Sequence, residues 1–276
     1  MDKKKLALRA GSGLIYVAII IGCILCGQIG VWCLSVIFAT LGIIEFRNLT
    51  NHGRIGNPYT LALDILGILT LVSAGMPDFT GVGLLLWILF FIVRLIAELY
   101  TKSEHPLSDM AKSLLGQIYI GLPLSLMNTI YEISGGSYLL LLMFLMIWIS
   151  DTGAFIVGSL LGRHRLFERI SPKKSWEGFW GALGFNVIAA ILFCAFGHGF
   201  YLPPDNYTVW IIFAVIVTVS GTYGDLVESL FKRALHTKDS GHLIPGHGGI
   251  LDRIDSLLLV SPTVMIFLFI LAFGMI

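Results

Sequence analysis

Apolar residues run along most of this chain in long stretches, with few polar positions inside them. A run of about 18 or more such residues reads as a membrane-crossing helix. Ala10 to Phe46 is apolar with one weak break at Gly27-Gln28-Ile29-Gly30. As a single helix it would be about 55 Å long at about 1.5 Å per residue. The hydrocarbon core is only about 30 Å thick, so the pattern predicts two short spans and a tight turn. Further spans are predicted near Tyr59–Ala74, Thr80–Tyr100, Ser108–Ile130, Ser137–Leu161, Trp176–Gly197, Tyr207–Phe231 and Ile254–Phe273. The expectation is an all-α, polytopic membrane protein with about nine transmembrane helices.

Composition agrees. Of 276 residues, 56% are hydrophobic and 13% are charged, against about 25% charged in a soluble domain. The net charge of +1 says little; its distribution says more. Every Lys and Arg falls at the N-terminus, in the polar segments around Arg47–Asn57, Leu99–Pro106, Gly162–Lys174 and Lys232–Arg253, or in helix ends that abut them. The alternate segments, near Gly27, Met76–Phe79, Tyr131–Gly136, His198–Asn206 and the C-terminus, have none. The positive-inside rule assigns the basic set, and the N-terminus, to the cytoplasm. That predicts a multi-pass protein of the cell's inner (cytoplasmic) membrane. No cleaved signal is expected, because the first apolar run has no small-residue cleavage site and another follows at once. Cys23, Cys26, Cys33 and Cys194 lie in apolar runs and read as small packing residues.

A change in composition near Pro106 subdivides one membrane domain (1–276). Residues 1–105 hold N-terminal helices with few polar positions, and 106–276 hold nearly all the candidate chemistry. Ionisable residues inside spans are costly and are functional candidates by default; Asp151 and Asp225 stand out. Arg94 and Glu98, at i and i+4, read as a structural pair, and Glu45 and Asp64 as structural or interfacial.

The polarity inverts over Ser229–Asp255, where Lys232, Arg233, Lys238 and Arg253 alternate with Asp239, Asp252 and Asp255. A polyanionic substrate with a divalent metal calls for this mixture, since cations neutralise phosphates and carboxylates hold Mg²⁺. Gly248 and Gly249 let backbone N–H groups approach an anion. Asp225, Glu228, Ser229 and Lys232 extend the pattern back along one helix face. A second stretch, Ser171-Pro172-Lys173-Lys174-Ser175-Trp176-Glu177-Gly178, reads as a helix start with Ser171 as N-cap and Pro172 at the first position. Its lysines would concentrate positive potential there, which suits a phosphate.

Ser229-x₂-Lys232-Arg233-x₄-Lys238-Asp239-x-Gly241-x₂-Ile244-Pro245-x-His247-Gly248-Gly249-Ile250-x-Asp252-Arg253-Ile254-Asp255 resembles the signature of the CDP-diacylglycerol synthase (phosphatidate cytidylyltransferase) family. Ser150-Asp151-Thr152-Gly153-Ala154-Phe155 and Ile170-Ser171-Pro172-Lys173-Lys174-Ser175-Trp176-Glu177-Gly178 resemble its upstream block, with Phe155 where Tyr is more usual and Ser175 where Thr is common. The detailed resemblance covers Trp148 to Asp255. It implies a helical enzyme that makes CDP-diacylglycerol and pyrophosphate from CTP and phosphatidate, with Mg²⁺, room for a second cation, and a homodimer in the lipid bilayer. It implies no nucleic-acid partner. The resemblance assigns Asp225 and Asp252, then Asp255 and Asp151, as metal ligands. Asp225, Asp252, Lys174 and Lys238 become the catalytic set. Lys173, Lys174, Ser175, Ser229, Lys232, Arg233, Lys238, Asp239, His247, Gly248, Gly249 and Arg253 become substrate contacts.

Competing motifs are absent: there is no GxxxxGK[ST] and no HExxH. Two alternatives remain at this point. One is a related cytidylyltransferase or kinase acting on another lipid, such as a polyprenol or an archaeal ether lipid. The other is a secondary transporter of a phosphorylated metabolite.

Overall fold

The computed structural model describes residues 3–51, 53, 56–196, 202–203, 206–237, 240–241 and 248–274. They form ten α-helices and one short β-hairpin. Six helical segments are long and apolar enough to cross a membrane: Gln28–Thr50, Pro77–Glu98, Gly136–Leu161, Trp176–Ala195, Tyr207–Ala234 and Leu251–Ala272. Gly11–Leu25 and Pro58–Ser73 are shorter apolar helices. The chain is therefore an all-α multi-pass membrane protein in its main architecture. It divides into two compact units, Met1–Glu132 with Ala234–Ile254, and Ile133–Arg233 with Asp255–Ile276.

The first unit begins with α1 (Lys3–Leu25) and α2 (Gln28–Thr50). They reverse at Gly27, whose φ of 92° suits only a residue without a side chain. This is the tight turn expected from the break at 27–30. Next come α3 (Pro58–Ser73) and α4 (Thr80–Glu98), then α5 (Pro106–Gly116) and α6 (Leu122–Glu132), joined by a π-turn at Gln117–Gly121. Asn57 caps α3 by accepting from the Tyr59 N–H at 2.9 Å, with Pro58 at the first position. Phe38, Ile43, Ile68, Val72, Ile120 and Met127 fill the core between α2, α3 and α6. α4 lies outside that core and turns Leu85, Leu89, Ile92 and Ile96 outward, as a lipid-facing helix must.

Polar groups in this apolar unit are gathered into one network. Asp64, fully buried, accepts from Arg47 and Ser113 and pairs with Arg94 at 3.3 Å. Arg94 also pairs with Glu98, as its i, i+4 spacing predicts. Pairing is what makes such charges tolerable away from water.

The second unit holds α7 (Gly136–Leu161), the antiparallel strands β1 (Arg165–Phe167) and β2 (Ser171–Ser175), α8 (Trp176–Phe196), α9 (Tyr207–Ala234, to Arg233) and α10 (Leu251–Ala272, from Asp255). α7 and α8 pack closely through small residues: a β-carbon on Gly158 would stand 3.4 Å from the Gly178 Cα. α8 and α9 are joined by a buried hydrogen bond from the Asn186 amide to Thr218 Oγ1, 2.8 Å.

The helix start expected at Ser171-Pro172 is corrected by the structure. Ser171–Ser175 is a strand, and α8 begins at Trp176. The Pro φ near −65° fits an edge strand as well as a first helical turn. Ser175 is the residue that caps, accepting from the Gly178 N–H at 3.1 Å. Lys173 and Lys174 thus stand on a strand, outside the first turn of the helix.

Candidate active site

A cavity of about 370 Å³ opens within the second unit. Its lining includes the apolar residues Ile147, Ala154, Phe155, Leu166, Phe179 and Val217 together with Asp151, Lys173, Lys174, Ser175, Asp225 and Ser256. Apolar and charged groups in one cavity suit an amphiphile with an anionic head.

The hairpin delivers the lysines. Its base is held by Glu177, whose carboxylate accepts from the N–H groups of Arg163 (3.1 Å) and His164 (3.2 Å) and meets His164 Nδ1 at 2.6 Å. Its far side is held by Arg233, whose Nε–H donates to the Ile170 carbonyl at 3.1 Å. Between these anchors Lys174 reaches α9. Its Nζ pairs with Asp225 Oδ2 at 2.6 Å and lies 3.5 Å from the Thr222 carbonyl.

On α9 the predicted face is real. Ser229 Oγ donates to Asp225 Oδ1 at 3.2 Å, and Lys232 Nζ pairs with Glu228 Oε2 at 2.8 Å, both one turn apart. Glu228 and Lys232 are buried. α10 comes close to this face at Gly224, where a β-carbon would stand 2.5 Å from the Asp255 carbonyl. Ser256 Oγ donates to the Gly221 carbonyl at 3.1 Å. Asp255 is thereby within electrostatic reach of Asp225, Glu228 and Asp151. The second unit thus brings together Asp151, Lys173, Lys174, Ser175, Asp225, Ser229 and Asp255 from the expected set, with Lys232 and Arg233 on the adjoining helix end.

The remaining expected residues belong to the first unit. Gly248 has φ 83° and faces Asp252, whose Oδ2 would stand 2.6 Å from a β-carbon there. Asp252 Oδ2 accepts from the Ser240 N–H (3.1 Å), Ser240 Oγ–H (2.9 Å) and the Gly249 N–H (2.9 Å). Arg253 is exposed, and its carbonyl accepts from Tyr16 Oη at 3.0 Å. Lys238, Asp239 and His247 lie outside the described residues.

A sequence profile of the cytidylyltransferase family matches residues 7–271. The chain belongs to this family. A protein of Staphylococcus haemolyticus (strain JCSC1435) named phosphatidate cytidylyltransferase is 32% identical over 263 residues, which cover 95% of this chain and 98% of the relative. One of Staphylococcus aureus (strain COL) with the same name is 32% identical over 264 residues, 95% of this chain and 98% of the relative. Another, of Staphylococcus saprophyticus, is 40% identical over 171 residues, 61% of this chain and 62% of the relative. The match spans both units, well beyond the stretch from Trp148 to Asp255 that carried the resemblance.

Whether this cytidylyltransferase-family site suits Mg²⁺ is a question of donors. Asp225, Asp255, Asp151 and Glu228 are hard oxygen ligands, which the ion prefers. Among the described residues, no three His, Cys, Asp or Glu side chains are grouped so as to hold a metal alone. Mg²⁺ does not need such a cage: it is usually bound by one or two carboxylates together with substrate phosphates. Asp225 and Asp255, kept close by Gly224, fit that need.

The roles of three residues were not legible in the sequence. Ser256 lines the cavity, and Glu177 anchors the hairpin. The third is Glu45 of α2, which accepts from backbone N–H groups more than two hundred residues away. The cluster Ser175-x-Glu177-Gly178 did contain a signal for the second, since a carboxylate in a first helical turn commonly satisfies nearby N–H groups.

Proposed function

We propose that this chain transfers CMP from CTP to phosphatidate, giving CDP-diacylglycerol and pyrophosphate for phospholipid synthesis. Relatives that match nearly its whole length are named phosphatidate cytidylyltransferase. The observation that carries the reading at atomic level is the Lys174–Asp225 pair in a cavity that also has apolar lining.

In the reaction a phosphatidate oxygen forms a bond to the α-phosphorus of CTP, and the bond from that phosphorus to the β-phosphate bridging oxygen breaks. Pyrophosphate leaves with the electron pair. No general base is required, because the attacking phosphate oxygen is already ionised near neutral pH. Two polyanions must instead be brought together and aligned. Lys173 and Lys174 neutralise phosphate charge at the cavity, and Asp225 and the hairpin anchors hold Lys174 in place. The apolar lining at Phe155, Phe179 and Val217 takes the glycerol end of the lipid. Mg²⁺, held by Asp225 and Asp255 with Asp151 next, would supply further charge neutralisation; a second cation is compatible with the remaining carboxylate. The family resemblance reads Gly248 and Gly249 as shaping the nucleotide loop, Lys238, Asp239, His247 and Arg253 as substrate contacts, and Asp252 as a metal ligand.

The finer topology belongs to the same proposal: nine spans, the N-terminus and the reaction on the cytoplasmic side of the inner membrane, and a homodimer. The one-sided distribution of Lys and Arg supports the orientation. Family membership removes the ground for the transporter alternative. The test is detergent-purified protein with CTP, Mg²⁺ and a panel of lipid phosphates, with and without chelator. Phosphatidate should yield pyrophosphate and CDP-diacylglycerol in equal amounts, and chelation should stop both. Turnover with polyprenyl phosphate but none with phosphatidate would overturn the substrate assignment.

A further inference from the structure

Glu45 lies in the apolar sequence Gly42-Ile43-Ile44-Glu45-Phe46 of α2. A carboxylate in such a helix needs strong donors. Its donors come from the far end of the chain. Oε1 accepts from the Ile250 N–H at 2.9 Å, and Oε2 from the Leu251 N–H at 3.0 Å. Ser240 Oγ lies 3.4 Å from Glu45 Oε2 and 2.9 Å from Asp252 Oδ2. A hydroxyl has one hydrogen to donate, so the two carboxylates share Ser240, with Asp252 the nearer.

The glycines on either side of this contact leave room for it. A β-carbon on Gly241 would stand 2.8 Å from Glu45 Oε1, and one on Gly249 would overlap both Glu45 and Ser240. α10 begins at Leu251 and is preceded by Ile250, which has no capping side chain. The first N–H groups of a helix need acceptors, and Glu45 provides them from another helix. Satisfying a helix end calls only for a local Ser or Asp. Glu45 does more: it ties Ser240 and Gly241 on one side to Ile250 and Leu251 on the other, and it shares a hydroxyl with Asp252.

We propose that Glu45 is a positioning residue for cytidylyl transfer. It ties Ser240 and Gly241 to Gly249, Ile250 and Leu251 and so fixes the Gly248–Gly249 turn and the Asp252 carboxylate. This rests on the reading that Gly248 and Gly249 shape the nucleotide loop. Glu45 touches no substrate; it acts by preorganising the loop that does.

The test uses the full chain in detergent, with CTP, phosphatidate and Mg²⁺. Glu45→Gln keeps the shape but replaces one acceptor oxygen with a donor, which then faces an N–H or the Ser240 hydroxyl. The variant should lower kcat/KM for CTP by about tenfold or more, while KM for phosphatidate and the melting temperature stay near wild type. Amide exchange at Ile250 and Leu251 should quicken, which reads the clamp without turnover. Ser240→Ala should lower the same parameter less, and provides the test if Glu45→Gln does not fold. Wild-type kinetics in both variants would overturn the proposal. So would equal losses for both substrates in step with a fall in melting temperature, since that is what a purely structural role gives. A wild-type chain that binds CTP but forms no pyrophosphate would instead overturn the functional reading, and unchanged exchange rates in Glu45→Gln would still refute the clamp separately.

Discussion

Lys174 Nζ stands 2.6 Å from Asp225 Oδ2, so a hairpin lysine and a carboxylate of α9 meet in one cavity. Either alone would fit an ordinary role, flanking charge for the lysine or an interhelical hydrogen bond for the aspartate. Their pairing brings the hairpin stretch and the polar face of α9 together within the second unit.

That pairing predicts coupled kinetics. Lys174→Ala and Asp225→Asn should each lower kcat/KM by about tenfold or more, roughly 1.4 kcal/mol of transition-state stabilisation. The double variant should lose less than the sum, because residues in one network are not additive. Lys102→Ala, on a polar segment of the other unit, should change little. Steady-state kinetics on the four proteins checks this.

Gly224 predicts a steric effect. A methyl group there would press on the Asp255 carbonyl at 2.5 Å. Gly224→Ala should therefore force α10 away from α9, cost about 1–3 kcal/mol of stability and lower activity as well. Gly184→Ala is the matched control, because nothing lies within 4 Å of its β-carbon position. Its melting temperature in detergent should equal or exceed that of wild type.

The Asp64 network predicts a stability effect away from the candidate site. Arg94→Ala leaves Glu98 buried without its ion-pair partner and takes one of two arginines from Asp64, which keeps Arg47. Removing one member of a buried pair costs about 3–5 kcal/mol. Denaturation in mild detergent should show that loss.

The helices and the polar face of α9 were legible in the sequence because both are periodic. Asp225 with Ser229, and Glu228 with Lys232, met at one-turn spacing as read. The hairpin was not legible. Ser171-Pro172 fits the start of a strand as well as of a helix, and the choice was made by Glu177, which binds the backbone N–H groups of Arg163 and His164. Glu45 was hidden for a similar reason. Its partners are mainly backbone N–H groups, which no residue letter advertises, and they come from a segment that only folding brings near. Asp64 was read as structural, but its role as the hub of four helices needed the packing of α2, α3, α4 and α5.

The distribution of basic residues predicts the orientation. With the native cysteines replaced, single cysteines at Gly135 and Asn206 should react with an impermeant thiol reagent added outside intact cells, and one at Ser240 should not. Labelling at Ser240 from outside would remove the access of CTP from the cytoplasm.

Parallel reactions with CTP labelled at the α- or the γ-phosphate test most directly whether the α-phosphate, with its cytidine, moves to phosphatidate, with the labelled lipid and released phosphate separated afterwards. The α-label should appear in the lipid product and the γ-label in pyrophosphate, with both reduced about tenfold or more in Asp225→Asn. The γ-label in the lipid would mean a kinase and would contradict cytidylyl transfer.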